Sequence, residues 1–221
     1  MKRVAKIIAV GIALGLLLLL IRGLFQIEEG IFLRGYLVLA AVVLVGTVLF
    51  NVLYQISYQR RLQKLVPLLD QGDTEGYLTG VRALLETARG RALRSVLQLD
   101  LAAGYLEAKE LDRAIQLLEG LPVSRSRTVE LCRRLDLCLA YFEAERPEEA
   151  MAVYRDSGAL LAEGRGRAPY GGTIAVADIL AALQEGDRPR AEEQIRAAQA
   201  AWPEPRVQRA LTEIGERLDK K

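Results

Sequence analysis

The most constraining feature of the sequence is the stretch Tyr36–Tyr54, which contains no charged residue and is apolar almost throughout. A helix that crosses the hydrocarbon core of a bilayer needs about 20 mainly apolar residues. The stretch therefore predicts a membrane-spanning helix. A second apolar run, Ile7–Ile21, reaches a similar length if Lys6 and Arg22 extend their charged ends to the headgroups. Together the two runs predict an N-terminal transmembrane helical hairpin over residues 1–58.

The run Ile7–Ile21 has a second interpretation, a cleaved secretory signal, because Lys2, Arg3 and Lys6 precede it. A signal peptide ends at a cleavage site flanked by small residues, and Arg22–Phe25 does not supply one. A retained membrane helix is therefore the favoured interpretation.

The basic residues that flank the two runs predict the orientation of the hairpin. Lys2, Arg3 and Lys6 precede the first run, and the second run is followed by Arg60, Arg61 and Lys64. The connector between the runs carries Arg22 and Arg34. Because cytoplasmic flanks are enriched in Lys and Arg, we expect both termini, and everything after residue 58, at the cytoplasmic face of the plasma (inner) membrane.

Gly11 and Gly15 form a GxxxG pattern within the first apolar run. Small residues at this spacing let a second helix approach closely, and the nearest candidate is the second run of the same hairpin. The alternative is that glycine is simply frequent in membrane helices.

Residues 59–221 form a different kind of sequence, with apolar residues recurring at helical spacing and Pro and Gly between the helical stretches. The pattern predicts an all-α domain. Its basic and acidic residues are almost equal in number. A nucleic-acid-binding domain needs a clustered positive face, so we expect no nucleic-acid partner.

The sequence carries none of the common signatures of catalysis. It contains no histidine, which excludes Ser-His-Asp triads and zinc sites built on histidine. Phosphate-binding loops of the GxxxxGK[ST] type and the GxGxxG and GxSxG motifs are also missing. We therefore expect a protein that is not an enzyme, with no catalytic residue, cofactor or metal site.

Three segments of the second region resemble one another when they are aligned on a single alanine. The segments are LDLAAGYLEAKELDRAIQLLEGLP, LDLCLAYFEAERPEEAMAVYRDSG and VADILAALQEGDRPRAEEQIRAAQAAWP. Each predicts a helix, a short polar turn and a second helix, with Ala114, Ala150 or Ala191 one turn into that second helix. One helix pair cannot bury its apolar face alone, so neighbouring pairs are expected to stack.

This pattern resembles the tetratricopeptide repeat. The first unit matches it at Ala102, Tyr105, Ala114 and Leu118, the second at Cys138, Tyr141, Ala150 and Tyr154, and the third at Gly186, Asp187, Ala191, Ile195, Ala198 and Pro203. An earlier, degenerate unit shares the Gly72-Asp73 turn, with Tyr77 in place of the alanine. The resemblance implies an α-solenoid of TPR-like helix hairpins in residues 59–221, with units at about 59–90, 92–126, 128–160 and 172–204 and a solvated end helix at 205–218.

In tetratricopeptide arrays the first helices of the pairs line a concave groove. Carried over to this sequence, the resemblance gives the partner-binding positions Val96, Leu99, Leu106, Leu135, Leu139, Phe142, Val176, Leu180 and Leu183. These residues are apolar and lack the Lys, Arg and Asn with which some members of the family bind a peptide carboxylate. An apolar groove suits an amphipathic helix. The alternative is that these positions belong to a closed core.

The segment 163–172 is the irregular feature of the second region. Arg165 and Arg167 stand between glycines there, a context suited to a phosphate or an acidic partner. A connector between repeats is the alternative.

Two functional hypotheses follow. The first is a membrane-anchored protein-protein interaction scaffold or adaptor, whose repeats bind an unidentified protein partner or a second copy of the chain. The second is an accessory or assembly subunit of a larger membrane enzyme or transporter, bound through its transmembrane hairpin. The hairpin, the missing histidine and the Arg-rich composition favour a bacterial source.

Overall fold

A computed structural model of the protein describes residues 29–219, together with Gly15 and Gly23. In that part of the chain every regular element is an α-helix. The predicted all-α class is therefore confirmed for the described residues. Gly11 and the rest of the Ile7–Ile21 run, Gly15 apart, lie outside them, as does the predicted pairing of two membrane helices.

The chain divides into two compact units, Met1–Ser57 and Tyr58–Lys221. In chain order the described helices are α1 (Glu29–Gln63), α2 (Val66–Asp70), α3 (Thr74–Thr87), α4 (Arg91–Glu107), α5 (Leu111–Gly120), α6 (Arg127–Glu143), α7 (Pro147–Asp156), α8 (Gly158–Gly164), α9 (Gly171–Gln184), α10 (Arg188–Ala201) and α11 (Pro205–Asp219).

Helix α1 contains the predicted second span, Tyr36–Tyr54. Among the described residues, one helical stretch is long and apolar enough to cross a membrane, with a mean hydropathy of 2.5 and no part of its apolar window buried. Large apolar side chains of this stretch are exposed, for example Leu44 at 66% and Phe50 at 73%. Such a surface is unfavourable in water, so its length and composition suit a lipid environment.

Helix α1 ends at Gln63, four residues before Pro67, and α2 begins at Val66 with Pro67 in its first turn. Proline has no backbone N–H and clashes with the preceding turn when it lies inside a helix, whereas the first turn of a new helix tolerates it. The chain therefore changes element where the sequence places the proline.

The helices of the second unit pack mainly on their neighbours in the chain. Helix α4 contacts α6, and α6 contacts α9, so these three lie side by side. Helix α5 packs between α4 and α6, α7 packs on α6 and α9, and α10 packs on α9 and α11. Helices α4, α6 and α9 thus lie next to one another, and α5, α7 and α10 each pack on one or two of them.

Small residues lie where neighbouring helices pack against one another. Ala114, Ala150 and Ala191 are each fully buried. At a different contact, between α4 and α3, a Cβ added to Gly104 would lie 2.7 Å from Leu78 and 2.9 Å from Tyr77. Because protein interiors are close-packed, the small side chains are what allow these backbones to approach.

The turns that precede α3, α5, α7 and α10 share one backbone geometry. A residue in the left-handed region, with φ between 58° and 82°, stands in each of them: Gly72, Lys109, Glu145 and Gly186. The N–H of the next residue then donates to the carbonyl five residues earlier, over 2.8–3.0 Å. This is the hydrogen bond with which many helices end. Two of the turns also cap the next helix, through Asp73 and Asp187.

This turn geometry predicts that two substitutions change the free energy of unfolding in opposite directions. Glu145 is an exposed non-glycine residue with a φ of 58°, a conformation that costs an L-residue about 1–2 kcal/mol. Glu145→Gly is therefore expected to raise the free energy of unfolding by about 0.5–1 kcal/mol, after the entropy that glycine adds to the unfolded chain. Gly186→Ala is expected to lower it by about 1 kcal/mol.

Urea unfolding followed by the fluorescence of Trp202, the single tryptophan of the chain, measures both effects. Thr212→Ala, at an exposed site in α11, is the control and should leave the free energy of unfolding nearly unchanged. The same sign of change for Glu145→Gly and Gly186→Ala would contradict the shared turn geometry.

Candidate partner-binding cavity

A cavity of about 300 Å³ opens within the second unit, between α4, α6, α9 and α11. Five of the predicted partner-binding residues line it: Leu106, Leu139, Phe142, Val176 and Leu180. Each of the three side-by-side helices contributes to this apolar surface because their side chains at helical spacing point to the same side. The structure therefore brings these five predicted positions together at one site.

The other apolar positions on the predicted list lie elsewhere. Leu99 and Leu135 are buried in the cores between helices. Val96 is half-buried, and Leu183 packs at the edge of the core formed by α9, α10 and α11. At Leu99 and Leu135 the structure thus agrees with the alternative that these side chains belong to a core.

Arg165 and Arg167 lie away from this cavity. Arg165 donates to both oxygens of Asp178, over 2.9 and 2.8 Å, and to the Tyr154 hydroxyl over 3.2 Å. Its guanidinium therefore ties the turn after α8 to α9. The Arg167 side chain is exposed.

Helix α11 supplies one wall of the cavity. The sequence predicts a solvated end helix with Val207, Ala210, Leu211 and Ile214 on one face, and three of these residues, Val207, Leu211 and Ile214, are buried against α9 and α10. Val207 and Ile214 also border the cavity. The reason is the strong segregation of apolar and polar residues on α11, which lets one face complete the array while the other stays in water.

Ion pairs surround the cavity. Arg206 and Arg209 of α11 approach Glu107 of α4 to 3.7 and 3.9 Å. Lys109 approaches Glu143 to 2.8 Å. The first two contacts join α11 to α4, and the third joins the turn after α4 to α6.

Asp136 lines the same cavity from α6. Burial, together with the neighbouring charge of Asp100, raises the pKa of the Asp136 carboxyl to about 7. Burial also raises the pKa of Asp100, one helix away on α4, to about 7. Asp100 Oδ2 is inaccessible to solvent and has no hydrogen-bond partner among the described residues.

Asp100 and Asp136 are both half-buried, and Arg206 of α11 lines the same cavity as Asp136. A buried carboxyl is normally paired because its ionised form is costly to remove from water. These two acids were not singled out from the sequence. The available signal is their shared context, since each aspartate stands between two leucines at the same place in its unit, Leu99-Asp100-Leu101 and Leu135-Asp136-Leu137.

A different buried acid, Glu130, is fully paired. Its carboxylate accepts hydrogen bonds from Arg133 over 2.5 and 3.1 Å, from Arg134 over 3.1 Å and from the Ser124 N–H over 3.0 Å. Arg133 also donates to the Leu118 carbonyl. These hydrogen bonds connect the start of α6 to the end of α5, so the role of the network is structural.

No family model matches this chain, and searches of curated proteins and of solved structures find no match either.

Proposed function

We propose that the chain is an integral membrane protein whose helical unit acts as a non-enzymatic adaptor and binds a partner protein in the cavity. The observation that carries the proposal is the convergence of Leu106, Leu139, Phe142, Val176 and Leu180 on that cavity. Apolar side chains from several helices, with a charged rim, are the surface that helix-in-groove recognition uses.

The membrane part of the proposal is supported by the exposed apolar surface of α1. We propose that Tyr36–Tyr54 is one arm of a transmembrane hairpin and that Ile7–Ile21 is the other. The basic flanks of the hairpin favour a cytoplasmic position for both termini and for the helical unit.

The fold part of the proposal is a TPR-like solenoid. It is supported by the recurrence of one left-handed turn, at Gly72, Lys109, Glu145 and Gly186, and by buried alanines at matching places in α5, α7 and α10. Repetition of both features along the chain is what a stack of helix pairs requires.

The test is affinity purification from native membranes in a gentle detergent, with the full chain compared with residues 58–221 alone. We expect both to retain the same partner in stoichiometric amount, provided that circular dichroism shows the shorter chain to be helical. A partner retained only by the full chain would instead assign binding to the membrane helices, as an accessory subunit requires. Capture of more of the chain itself would assign self-association.

A further inference from the structure

Exposed basic residues of the second unit are concentrated in two short segments, 58–64 at the end of α1 and 85–94 around the turn between α3 and α4. The first segment contains no acidic residue and the second contains Glu86 alone. We call the six basic side chains the basic surface: Arg60, Arg61, Lys64, Arg89, Arg91 and Arg94. The two segments together therefore carry a large excess of positive charge.

A contact between the two segments holds this surface together. Tyr58 is buried, and its hydroxyl donates to Thr87 Oγ1 over 3.0 Å. The Arg61 guanidinium lies over the Tyr58 ring, 5.8 Å from its centroid. Arg94 donates through Nη1 to the Leu85 carbonyl over 2.9 Å. Arg61 and Arg94 are thus both held at the C-terminal end of α3 by partners that carry no charge.

The segment that begins at Tyr58 runs in the opposite direction to α3. Tyr58 contacts Thr87, whereas Leu65 lies against Gly80, where an added Cβ would be 2.6 Å from the Leu65 side chain. The turn after Thr87 therefore lies at the Tyr58 end of the pair. Tyr58 follows Tyr54, the last residue of the apolar stretch, by four residues, and four residues reach about 14 Å at most in any conformation.

The chemistry of this surface suits the headgroup layer of a bilayer. If Tyr36–Tyr54 crosses the hydrocarbon core, Tyr58 cannot lie far from the headgroups. Basic residues that close to a membrane attract its anionic lipids. Five of the six residues are arginines, and the planar guanidinium matches two oxygen atoms of a phosphate group at once.

From these observations we propose that the basic surface binds the headgroups of anionic phospholipids through hydrogen bonds from arginine to phosphate. The inference rests on the membrane part of the proposed function, because Tyr36–Tyr54 must span the bilayer to bring the surface to the headgroups. It gives the second unit an attachment to the membrane in addition to its covalent connection.

The experiment measures the lipid selectivity of the full chain in phosphatidylcholine vesicles. Trace amounts of spin-labelled phosphatidylglycerol or spin-labelled phosphatidylcholine are added, and the motionally restricted fraction of each gives their relative association with the chain. One basic residue near an anionic lipid strengthens the attraction about fivefold. We therefore expect the wild-type chain to prefer phosphatidylglycerol by about fivefold or more. Replacing Arg60, Arg61 and Arg91 together by glutamine should reduce this preference to less than about twofold.

A second triple variant is the matched control, because it removes the same charge from exposed arginines of α5 and α10. It replaces Arg113, Arg190 and Arg196 by glutamine, and it should keep the wild-type selectivity. Circular dichroism and Trp202 fluorescence establish that both variants are folded. Hydrogen exchange locates the lipid: in nanodiscs, adding phosphatidylglycerol to phosphatidylcholine should slow exchange in residues 88–94 and leave α10 unchanged.

The outcomes separate this inference from the proposed function. Equal association of the two lipids with the wild-type chain, or equal losses in the two triple variants, would overturn the inference. So would a selectivity that inorganic phosphate abolishes and chloride of the same ionic strength does not, because the surface would then bind free phosphate. In each case, a chain that floats with the vesicles would leave the membrane part of the proposed function intact. A wild-type chain that stays soluble beside the vesicles would overturn both.

Discussion

Replacing Glu130 by alanine is expected to lower the free energy of unfolding by about 3–5 kcal/mol, because it leaves a buried guanidinium without its counter-charge. The side chains of Glu130 and Arg133 are only 9% and 8% exposed. Arg133 donates to Glu130 through two nitrogen atoms. Without Glu130, the described partner that stays with Arg133 is the Leu118 carbonyl, at 3.3 Å.

Replacing Glu130 and Arg133 together is expected to change the free energy of unfolding much less than replacing Glu130 alone. Glu130→Leu combined with Arg133→Met removes both charges and fills the space with apolar atoms, and exchanges of this kind are often neutral or stabilising. The exposed pair Arg146–Glu149 is the matched control, since its side chains are 43% and 44% exposed. Glu149→Ala should change the free energy of unfolding very little, because solvent screens an exposed ion pair.

Urea unfolding of the full chain in detergent, followed by Trp202 fluorescence, measures all three variants. A cost for Glu130→Ala no larger than that for Glu149→Ala would contradict the burial and pairing of the network.

The second large effect is expected from Asp136→Asn, which should raise the free energy of unfolding at pH 8 by about 2 kcal/mol. The ionised Asp136 carboxylate is partly buried and lies near Asp100, and both features raise the pKa of Asp136 to about 7. Each unit of pKa shift corresponds to about 1.4 kcal/mol, and solvent at the mouth of the cavity screens part of the effect. Asparagine keeps the shape and removes the charge.

The direction of the pH dependence follows from the raised pKa of the two aspartates. In the unfolded chain these carboxyls release their protons near pH 4, whereas the folded pKa of each is about 7. Between these values the folded state holds more protons, so stability is lost as pH rises from about 4 to about 7. We therefore expect the wild-type chain to be more stable at pH 5 than at pH 8.

Few other groups near the aspartates titrate in this window. The sequence has no histidine. Burial raises the pKa of Cys132, on the same helix, to about 12, and it also raises the pKa of Tyr77 on α3. The guanidinium of Arg206, on α11, lines the same cavity as Asp136. About half of the stability difference between pH 5 and pH 8 should thus disappear in Asp136→Asn, because burial alone keeps the pKa of Asp100 near 7. The whole difference should persist in Asp156→Asn, at an exposed position at the end of α7. An unchanged difference in Asp136→Asn would contradict the assigned cause.

The sequence predicted the elements that depend on local chemistry. The all-α class follows from apolar spacing, the break after α1 from Pro67, and the buried alanines from their shared place in three aligned segments. The turns at Gly72 and Gly186 are also predictable from the sequence, because glycine adopts a positive φ more readily than other residues. Lys109 and Glu145 adopt the same conformation without that signal, since the hydrogen bonds of the helix end outweigh their side-chain cost.

The candidate site was only partly predictable. Its apolar positions follow from helical spacing, but the separation of Phe142, which lines the cavity, from Leu135, which lies in a core, depends on how α6 rotates between its neighbours. The contribution of α11 depends on a long-range contact, the approach of Arg206 and Arg209 to Glu107. From the sequence alone, Asp136 cannot be distinguished from an ordinary polar residue of a helix. Its raised pKa depends on burial and on Asp100, which lies on another helix.

The most direct test of the account is the affinity purification from native membranes carried out with the full chain bearing Phe142→Glu, which places a charge on the apolar wall of the cavity. Val123→Glu is the matched control, because Val123 is 74% exposed and lies outside the cavity. Helicity and Trp202 fluorescence of both variants establish that they are folded. We predict that Phe142→Glu loses the partner that the wild-type chain and Val123→Glu retain. Full retention of the partner by a folded Phe142→Glu variant would contradict the assignment of the cavity as the binding site.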